Sequence, residues 1–353
     1  MAQTANIILY GPGLIGLTLI DSIINAIERY RTPMKIIAVV DSSGAILEKK
    51  GFSPAKLTSS LARKRNGLPF REMENAVSAN SVEAFFDPTT ILVDTTNSDT
   101  IYRTLLKGVD RGCAVTMSNK HNLIQPWMIA EAFYSNPCVR YESTVCSGTP
   151  VVASIRNLLA SLDEINSIEG CLSGTLNYVC TQLDHGISMM RAIEDAHDLG
   201  YTEPDPREDL NGKDVARKAL ILGRLAGWHL ELEDIQVEQL YPESLTDVTK
   251  EDFFKRLYTL TPKYQQLAHH AAAEAMSLRY IAQVNAKGGR CFMKAVPKDS
   301  EFGLLQGAAN KVSIHSRVHN PIPLTLSGAG AGEDITVLGL LSDILALTKL
   351  IVH

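Results

Sequence analysis

The densest reactive chemistry in this chain lies between Gly200 and Lys218. Glu203, Asp205 and Asp209 sit in a loop with two prolines, Pro204 and Pro206. The fixed φ of each proline stiffens the loop and so fixes the directions of the acids. Asp214 and Lys218 follow, four residues apart on a predicted helix, so they share one face with the acid on the N-terminal side, the favourable order. On a polar helix such a pair is an ordinary surface ion pair of little energetic weight. Here Val215, Ala216, Ala219, Leu220, Ile221 and Leu222 make much of the helix apolar, and a charged pair on a largely buried helix needs a reason. An ammonium so placed can stabilise a developing alkoxide and hand it a proton.

A second constellation opens the chain. Gly11-Pro12-Gly13-Leu14-Ile15-Gly16 follows an apolar β-branched run and starts a helical one. Gly11 permits a tight turn, Gly13 lets backbone approach a pyrophosphate, and Gly16 lets helix pack on strand. The first N–H groups of the helix, at Leu14 and Ile15, are then offered to the phosphates. Pro12 stiffens the turn and removes one N–H from that set. Asp41 ends the next strand-like run, and two readings stand for it. Its carboxylate accepts the adenosine ribose hydroxyls and repels a 2′-phosphate, which favours NAD over NADP, or it caps the turn before Ser42, Ser43 and Gly44. Thr95 and Thr96 follow the third clear strand, where ligands of such sheets bind, and they also suit a capping cluster before the next helix. Lys120 stands at the carboxyl end of a further strand, facing the crevice.

These residues need elements to hold them. Strand-like runs at Ala5–Tyr10, 35–40, Thr90–Asp94, 113–117 and 138–142 alternate with helical periodicity at Leu14–Tyr30 and 100–111, which predicts a Rossmann-like parallel sheet covered on both faces. From about residue 150 the pattern changes: helices at 151–162, 176–185, 188–199 and 213–226, strands at 165–172, 278–285, 290–296 and 311–315. The expected plan is α/β, with a dinucleotide-binding domain over 1–149, a second α+β domain for substrate and dimerisation over 150–327, and a segment over 328–353 returning to the first. The last of these opens on alternating glycine and alanine, Gly328 to Gly332.

Composition excludes several classes. A net charge of −5 with no Lys/Arg-rich tract gives no electrostatic case for nucleic acid. Six scattered cysteines have no CxxC spacing, and the nine histidines form no metal-binding cluster. No signal peptide is read at the N-terminus and no apolar run is read as membrane-spanning, so a reducing cytoplasm is expected.

The run from Gly200 to Lys218 closely resembles the signature of the homoserine dehydrogenase family. The stretch from Tyr141 to Pro150 is similar to the segment joining that family's two main domains. Ser173 to Tyr178, Ser118 to Lys120 and the closing Gly328 to Gly332 match in order. The resemblance covers essentially the whole chain and is thinner over 43–90 and 228–310. It implies NAD(P)-dependent interconversion of aspartate semialdehyde and homoserine, in the route to threonine, methionine and isoleucine. Lys218 is then the general acid for homoserine formation and the base in reverse, with Lys120 near nicotinamide and substrate; two such lysines repel and lower each other's pKa. Glu203, Asp209 and Asp214 hold substrate polar groups, and Gly174 floors the pocket. Thr95 and Thr96 approach the cofactor, and Gly332 closes over it. Glu142, with carbonyls of Val145, Ser147 and Thr149, matches a sodium-type cation site. The later strands pair across a two-fold axis in the family, which implies a homodimer. With no aspartate-kinase portion or regulatory domain recognised, a monofunctional form is expected. The alternatives are another amino-acid semialdehyde reductase on the same fold, or a catalytically silent cofactor-binding protein.

Overall fold

The computed structural model describes residues 3–73 and 76–352. The chain divides into two compact units, Met1–Gly148 with Gly332–His353, and Thr149–Ala331.

The first unit is built on seven strands: β1 (Ala5–Tyr10), β2 (Met34–Asp41), β3 (Gly44–Leu47), β4 (Ala76–Val77), β5 (Thr90–Asp94), β6 (Ala114–Met117) and β7 (Val139–Arg140), in the order β4-β3-β2-β1-β5-β6-β7. β2, β1, β5, β6 and β7 run parallel, while β3 pairs antiparallel with β2, and β4 with β3. The apolar runs of β1 and β5 are buried throughout, as parallel strands covered on both faces must be. β7 is shorter than the expected 138–142 strand, because the chain turns away over Glu142–Thr144. β3 and β4 were not legible as strands; they extend the sheet as an antiparallel edge. The strand order reverses at β1, which has β2 on one side and β5 on the other. The crevice beyond their carboxyl ends is the ligand position of such sheets.

The helix Leu14–Tyr30 buries Leu19, Ile20, Ile23 and Ala26, a helical stripe, in this core. The helix Glu333–Val352 joins the same core through Val337, Leu340, Ile344 and Leu347. Its length and apolar composition would let it cross a membrane, which corrects the expectation that no run reaches that length. Part of its apolar surface is taken up by that packing, while Leu338 and Leu350 are exposed.

The second unit carries a six-stranded sheet of β8 (Ile165–Cys171), β9 (Ile235–Val237), β10 (Met276–Asn285), β11 (Gly288–Pro297), β12 (Ala309–Ser316) and β13 (Leu324–Ala329), in the order β13-β12-β8-β10-β11-β9. Every neighbouring pair is antiparallel except β11–β9. The helices Gly174–Asp184, Lys213–Leu225 and Thr261–Ala273 pack on β10. Arg279 on β10 is fully buried, with its guanidinium donating to Asp184 at 2.5 Å and to the carbonyls of Phe302, Gly303 and Leu305. Those bonds offset the cost of burying the charge and tie a helix end to the sheet.

Candidate active site

The helix Lys213–Leu225 begins at Gly212, whose φ of 69° is left-handed and whose Cβ, were there one, would lie 2.1 Å from the Tyr280 hydroxyl. Only glycine fits there. Val215, Ala216, Ala219, Leu220 and Leu222 bury the helix, so Lys218 leaves it into a largely dry setting. The Lys218 ammonium donates to the Asp214 carboxylate at 2.9 Å and to the Leu172 carbonyl at 2.7 Å. Its side chain is 12% exposed and that of Asp214 is 40%.

Leu172 closes β8, and Ser173 caps the next helix by accepting the Leu176 N–H at 3.2 Å. Gly174 opens that helix against the backbone of Ala308; a Cβ would lie 2.7 Å from the Ala308 carbonyl oxygen. Ser173, Gly174 and Ala308, with Tyr201, Glu203, Asp209, Asp214 and Lys218, line a pocket of about 310 Å³ that Gly330 and Ala331 complete. Glu203, Asp209, Asp214 and Gly174, expected to meet substrate, and Lys218, expected as the acid–base group, are among its walls; Lys120, also expected near substrate, belongs to the first unit. The Glu203 N–H donates to Asp209 at 2.9 Å. Burial, reinforced by repulsion from Glu203 and Asp214, pushes the Asp209 carboxyl up to about 6 even though that N–H bond opposes the shift. Three carboxylates around one ammonium suit a cationic group on a small polar substrate.

Asp205 takes another direction. Its carboxylate is gripped by Arg207, Nε at 3.0 Å and Nη2 at 2.6 Å, and that contact outweighs burial to hold it below the usual carboxylate range. Arg207 Nη1 donates to the carbonyls of Leu245, Thr246 and Val248 at 3.3, 2.9 and 2.6 Å, and the guanidinium lies 5.3 Å from the Phe253 ring centre. The loop is therefore clamped by this arginine as well as stiffened by its prolines.

In the first unit, the glycine-rich turn has the expected shape. Gly11 has φ of 87°, and a Cβ on Gly16 would lie 2.3 Å from the Gly11 carbonyl oxygen, whereas one on Gly13 would meet nothing within 4 Å. Among the described residues no side chain caps the Leu14–Tyr30 helix, which leaves its first N–H groups for an anion. The Thr95 hydroxyl donates to the Tyr10 and Gly11 carbonyls (2.9 and 2.7 Å), so it braces the turn. Thr96 accepts from the Ser98 N–H and the Asn119 amide. Asn119 also caps the turn that holds Lys120, accepting from the His121 N–H at 3.0 Å.

Asp41 makes its contacts within its own turn and to Lys64 and Phe70. Its Oδ1 accepts from the Ser43 N–H and hydroxyl and the Gly44 N–H at 2.7, 2.6 and 3.0 Å; its Oδ2 accepts from Lys64 at 2.5 Å and the Phe70 N–H at 3.1 Å. Burial alone would raise its pKa, but the Lys64 ammonium and the other donors outweigh it and hold the carboxyl at about 2. These are the contacts of the capping reading.

A family model described as homoserine dehydrogenase matches residues 150–345. A homoserine dehydrogenase of Paracoccidioides brasiliensis is 33% identical over 276 residues, 73% of this chain and 74% of that one. The chain belongs to the homoserine dehydrogenase family. The bifunctional aspartokinase/homoserine dehydrogenase 1 of Arabidopsis thaliana is 32% identical over 96% of this chain. The chain spans 38% of that protein's length and 43% of a bifunctional bacterial relative's. A solved hyperthermophilic archaeal homoserine dehydrogenase in complex with NADPH shares the fold, with a TM-score of 0.72 at 21% identity over 98% of each chain.

Within this member of the homoserine dehydrogenase family, the remaining expected residues fall as follows. Gly332, with φ of 135°, heads the Glu333–Val352 helix in the first unit, and its carbonyl accepts from Thr336. Glu142 is buried, and its N–H donates to Asp343 at 3.0 Å. Cys146 and Ser147 are both left-handed, at 54° and 58°, which turns the chain sharply after Val145. Thr149 opens the second unit, and its carbonyl accepts from the Val151 N–H at 2.7 Å. Sequence reasoning missed the Leu172 carbonyl, Tyr201, Ala308, Gly330 and Ala331. A backbone acceptor carries no signature in residue type, and Tyr201, stacked edge-on against Tyr178 at 5.1 Å, was signalled only by its place beside Gly200.

Proposed function

We propose that the chain is an NAD(P)-dependent homoserine dehydrogenase acting on L-homoserine and L-aspartate 4-semialdehyde. The observation that carries this is the Lys218 ammonium, largely buried and held by Asp214 and the Leu172 carbonyl in a pocket rimmed by Glu203 and Asp209. The nicotinamide, when bound, supplies or takes the hydride. Gly11, Gly13, Gly16 and the uncapped N–H groups at Leu14 and Ile15 would hold the pyrophosphate. Lys218 stabilises the alkoxide that develops at the substrate's C4 and donates its proton, and in reverse it accepts that proton. Asp214 and the Leu172 carbonyl orient the ammonium. Glu203 and Asp209 recognise the substrate's α-ammonium, and Lys120 serves as the second lysine toward nicotinamide and substrate. Glu142 with the Val145, Ser147 and Thr149 carbonyls would hold sodium in a structural role.

For the cofactor we infer that NADP is accepted alongside NAD. Asp41 spends its oxygens on the turn and on Lys64, and the Lys64 ammonium is the kind of group that meets a 2′-phosphate. We also infer a homodimer in the cytoplasm. Its support is the half-exposed edge strand β13, with Ile322 79% exposed and Val318 62% exposed just before it, an arrangement that a partner's strand or face would cover. The deciding experiment is homoserine oxidation by the purified chain with NAD and NADP side by side. Turnover with either is expected; cofactor binding without turnover of homoserine or aspartate semialdehyde overturns the assignment. A monomeric mass by light scattering at micromolar concentration overturns the dimer.

A further inference from the structure

A second cavity lies beside the helix that carries Lys218, wholly within the second unit. It has a volume of about 390 Å³, in the range of small-molecule sites. Helical spacing sets Lys213, Ala216 and Arg217 on this side of the helix and Asp214 and Lys218 on the adjacent one. Ala216, Leu232 and Ile235 give the cavity apolar walls, and Lys213 and Arg217 place two cations against the single carboxylate of Glu233. Arg217 Nε is buried and has no hydrogen-bond partner among the described residues. A buried donor in that state carries a desolvation cost that an incoming acceptor removes. An apolar body with one anionic end answers all three features.

We propose that this cavity binds a small aliphatic carboxylate, whose oxygens meet Arg217 and Lys213 while its chain covers Ile235 and Leu232, and that its occupancy alters turnover through the helix shared with Lys218. The binding stands by itself; the effect on turnover rests on the homoserine dehydrogenase reading. The helix is a short path for such coupling, because Arg217 and Lys218 are consecutive and the helix start at Gly212 is wedged against Tyr280.

The test is calorimetric titration of the full chain with 4-methylvalerate, with 4-methylpentylamine as the control of opposite charge, beside homoserine oxidation with and without saturating 4-methylvalerate. The expected result is one saturable site for the carboxylate and none for the amine, affinity unchanged by saturating homoserine, and a changed kcat when the site is full. Arg217→Gln is expected to weaken binding by about tenfold or more, the weight of one charge-assisted contact. Lys213→Gln should weaken it less, and because Lys213 is exposed this variant decides the matter if Arg217→Gln does not fold. No saturable binding, binding indifferent to both substitutions, or binding abolished by homoserine overturns the site. Binding with kcat unchanged overturns the coupling. Binding without any homoserine turnover leaves the site standing and removes the enzymatic reading; normal turnover without binding does the reverse.

Discussion

Two of the aspartate–lysine pairs among the described residues are alike in composition and opposite in use, Asp41 with Lys64 and Asp214 with Lys218. In the first the carboxylate is the more buried partner, 7% exposed against 21% for the lysine. In the second the lysine is the more buried, 12% against 40% for the aspartate. Asp41 is surrounded by backbone N–H groups and a hydroxyl, so the pair closes a turn. The Lys218 ammonium instead reaches a carbonyl and its own helix neighbour at the wall of a pocket. The partner withdrawn from water is the one whose charge the surroundings are built to hold. A buried carboxylate organises donors around itself and stabilises local backbone; a buried ammonium at a cavity wall has a proton that matters to whatever enters. Contact distance alone would not tell the two apart.

The comparison breaks most visibly at Lys218. Lys218→Ala is expected to lower kcat by about 10²- to 10⁴-fold while cofactor affinity changes little; near-normal kcat in the folded variant would shift the acid–base role to Lys120. Asp41→Ser should act on stability instead. It removes several donors' shared acceptor, a cost of about 1–3 kcal/mol, read as a lower Tm. Because folding depresses this carboxyl from 3.8 to about 2, its contribution is present above pH 3.8 and is lost as pH falls toward 2. The difference between wild type and variant should therefore shrink in acid. An unchanged Tm with a large change in cofactor choice would restore Asp41 to the ribose.

Lys64→Ala is expected to reduce kcat/KM for NADP by about tenfold, one charge-assisted contact, and that for NAD much less; equal losses would make Lys64 purely a turn residue. The smallest effect expected is at Asp209, raised from 3.8 to about 6. Its carboxylate is neutralised below that pH and holds the α-ammonium less well, so KM for homoserine should rise severalfold as pH falls through about 6. Asp209→Asn should flatten that limb, and a limb surviving in the variant would assign it to another group. The same shift has the opposite sign for stability. The folded state holds this proton more tightly than the unfolded one, so stability falls as pH rises from about 3.8 to about 6.

How much of this was legible follows from where the signal lies. β1, β5 and the Leu14–Tyr30 helix match their sequence reading residue for residue, because buried parallel strands are continuous apolar runs and a packed helix shows its stripe. Asp214 and Lys218 were legible because unlike charges on an apolar helix violate the usual burial rule, and Glu203 and Asp209 because acids crowd a loop stiffened by two prolines. β9 and β13 were not. Gln236 and Val237 of β9 are exposed, and β13 includes Gly328 and Ala329, so both take strand form from pairing with β11 and β12. Asp41 stood between two readings for a related reason. The sequence shows a carboxylate after a strand, but whether its oxygens are engaged depends on Lys64 and Phe70, more than twenty residues away.

The helix Glu333–Val352 has a consequence for the order in which the protein acquires shape. It is synthesised after the whole of the second unit, yet the core of the first unit contains its Val337, Leu340, Ile344 and Leu347. On a ribosome the usual sequence, N-terminal domain first, is therefore reversed. The glycine-rich turn emerges early on a core that still lacks those four residues, while the later unit has all of its chain to fold with. A nascent chain halted at Ala331 should show slow hydrogen exchange in β8, β10 and β12 and fast exchange in β1, β5 and β6. Equal protection in both sets would mean that the first core closes without its final helix.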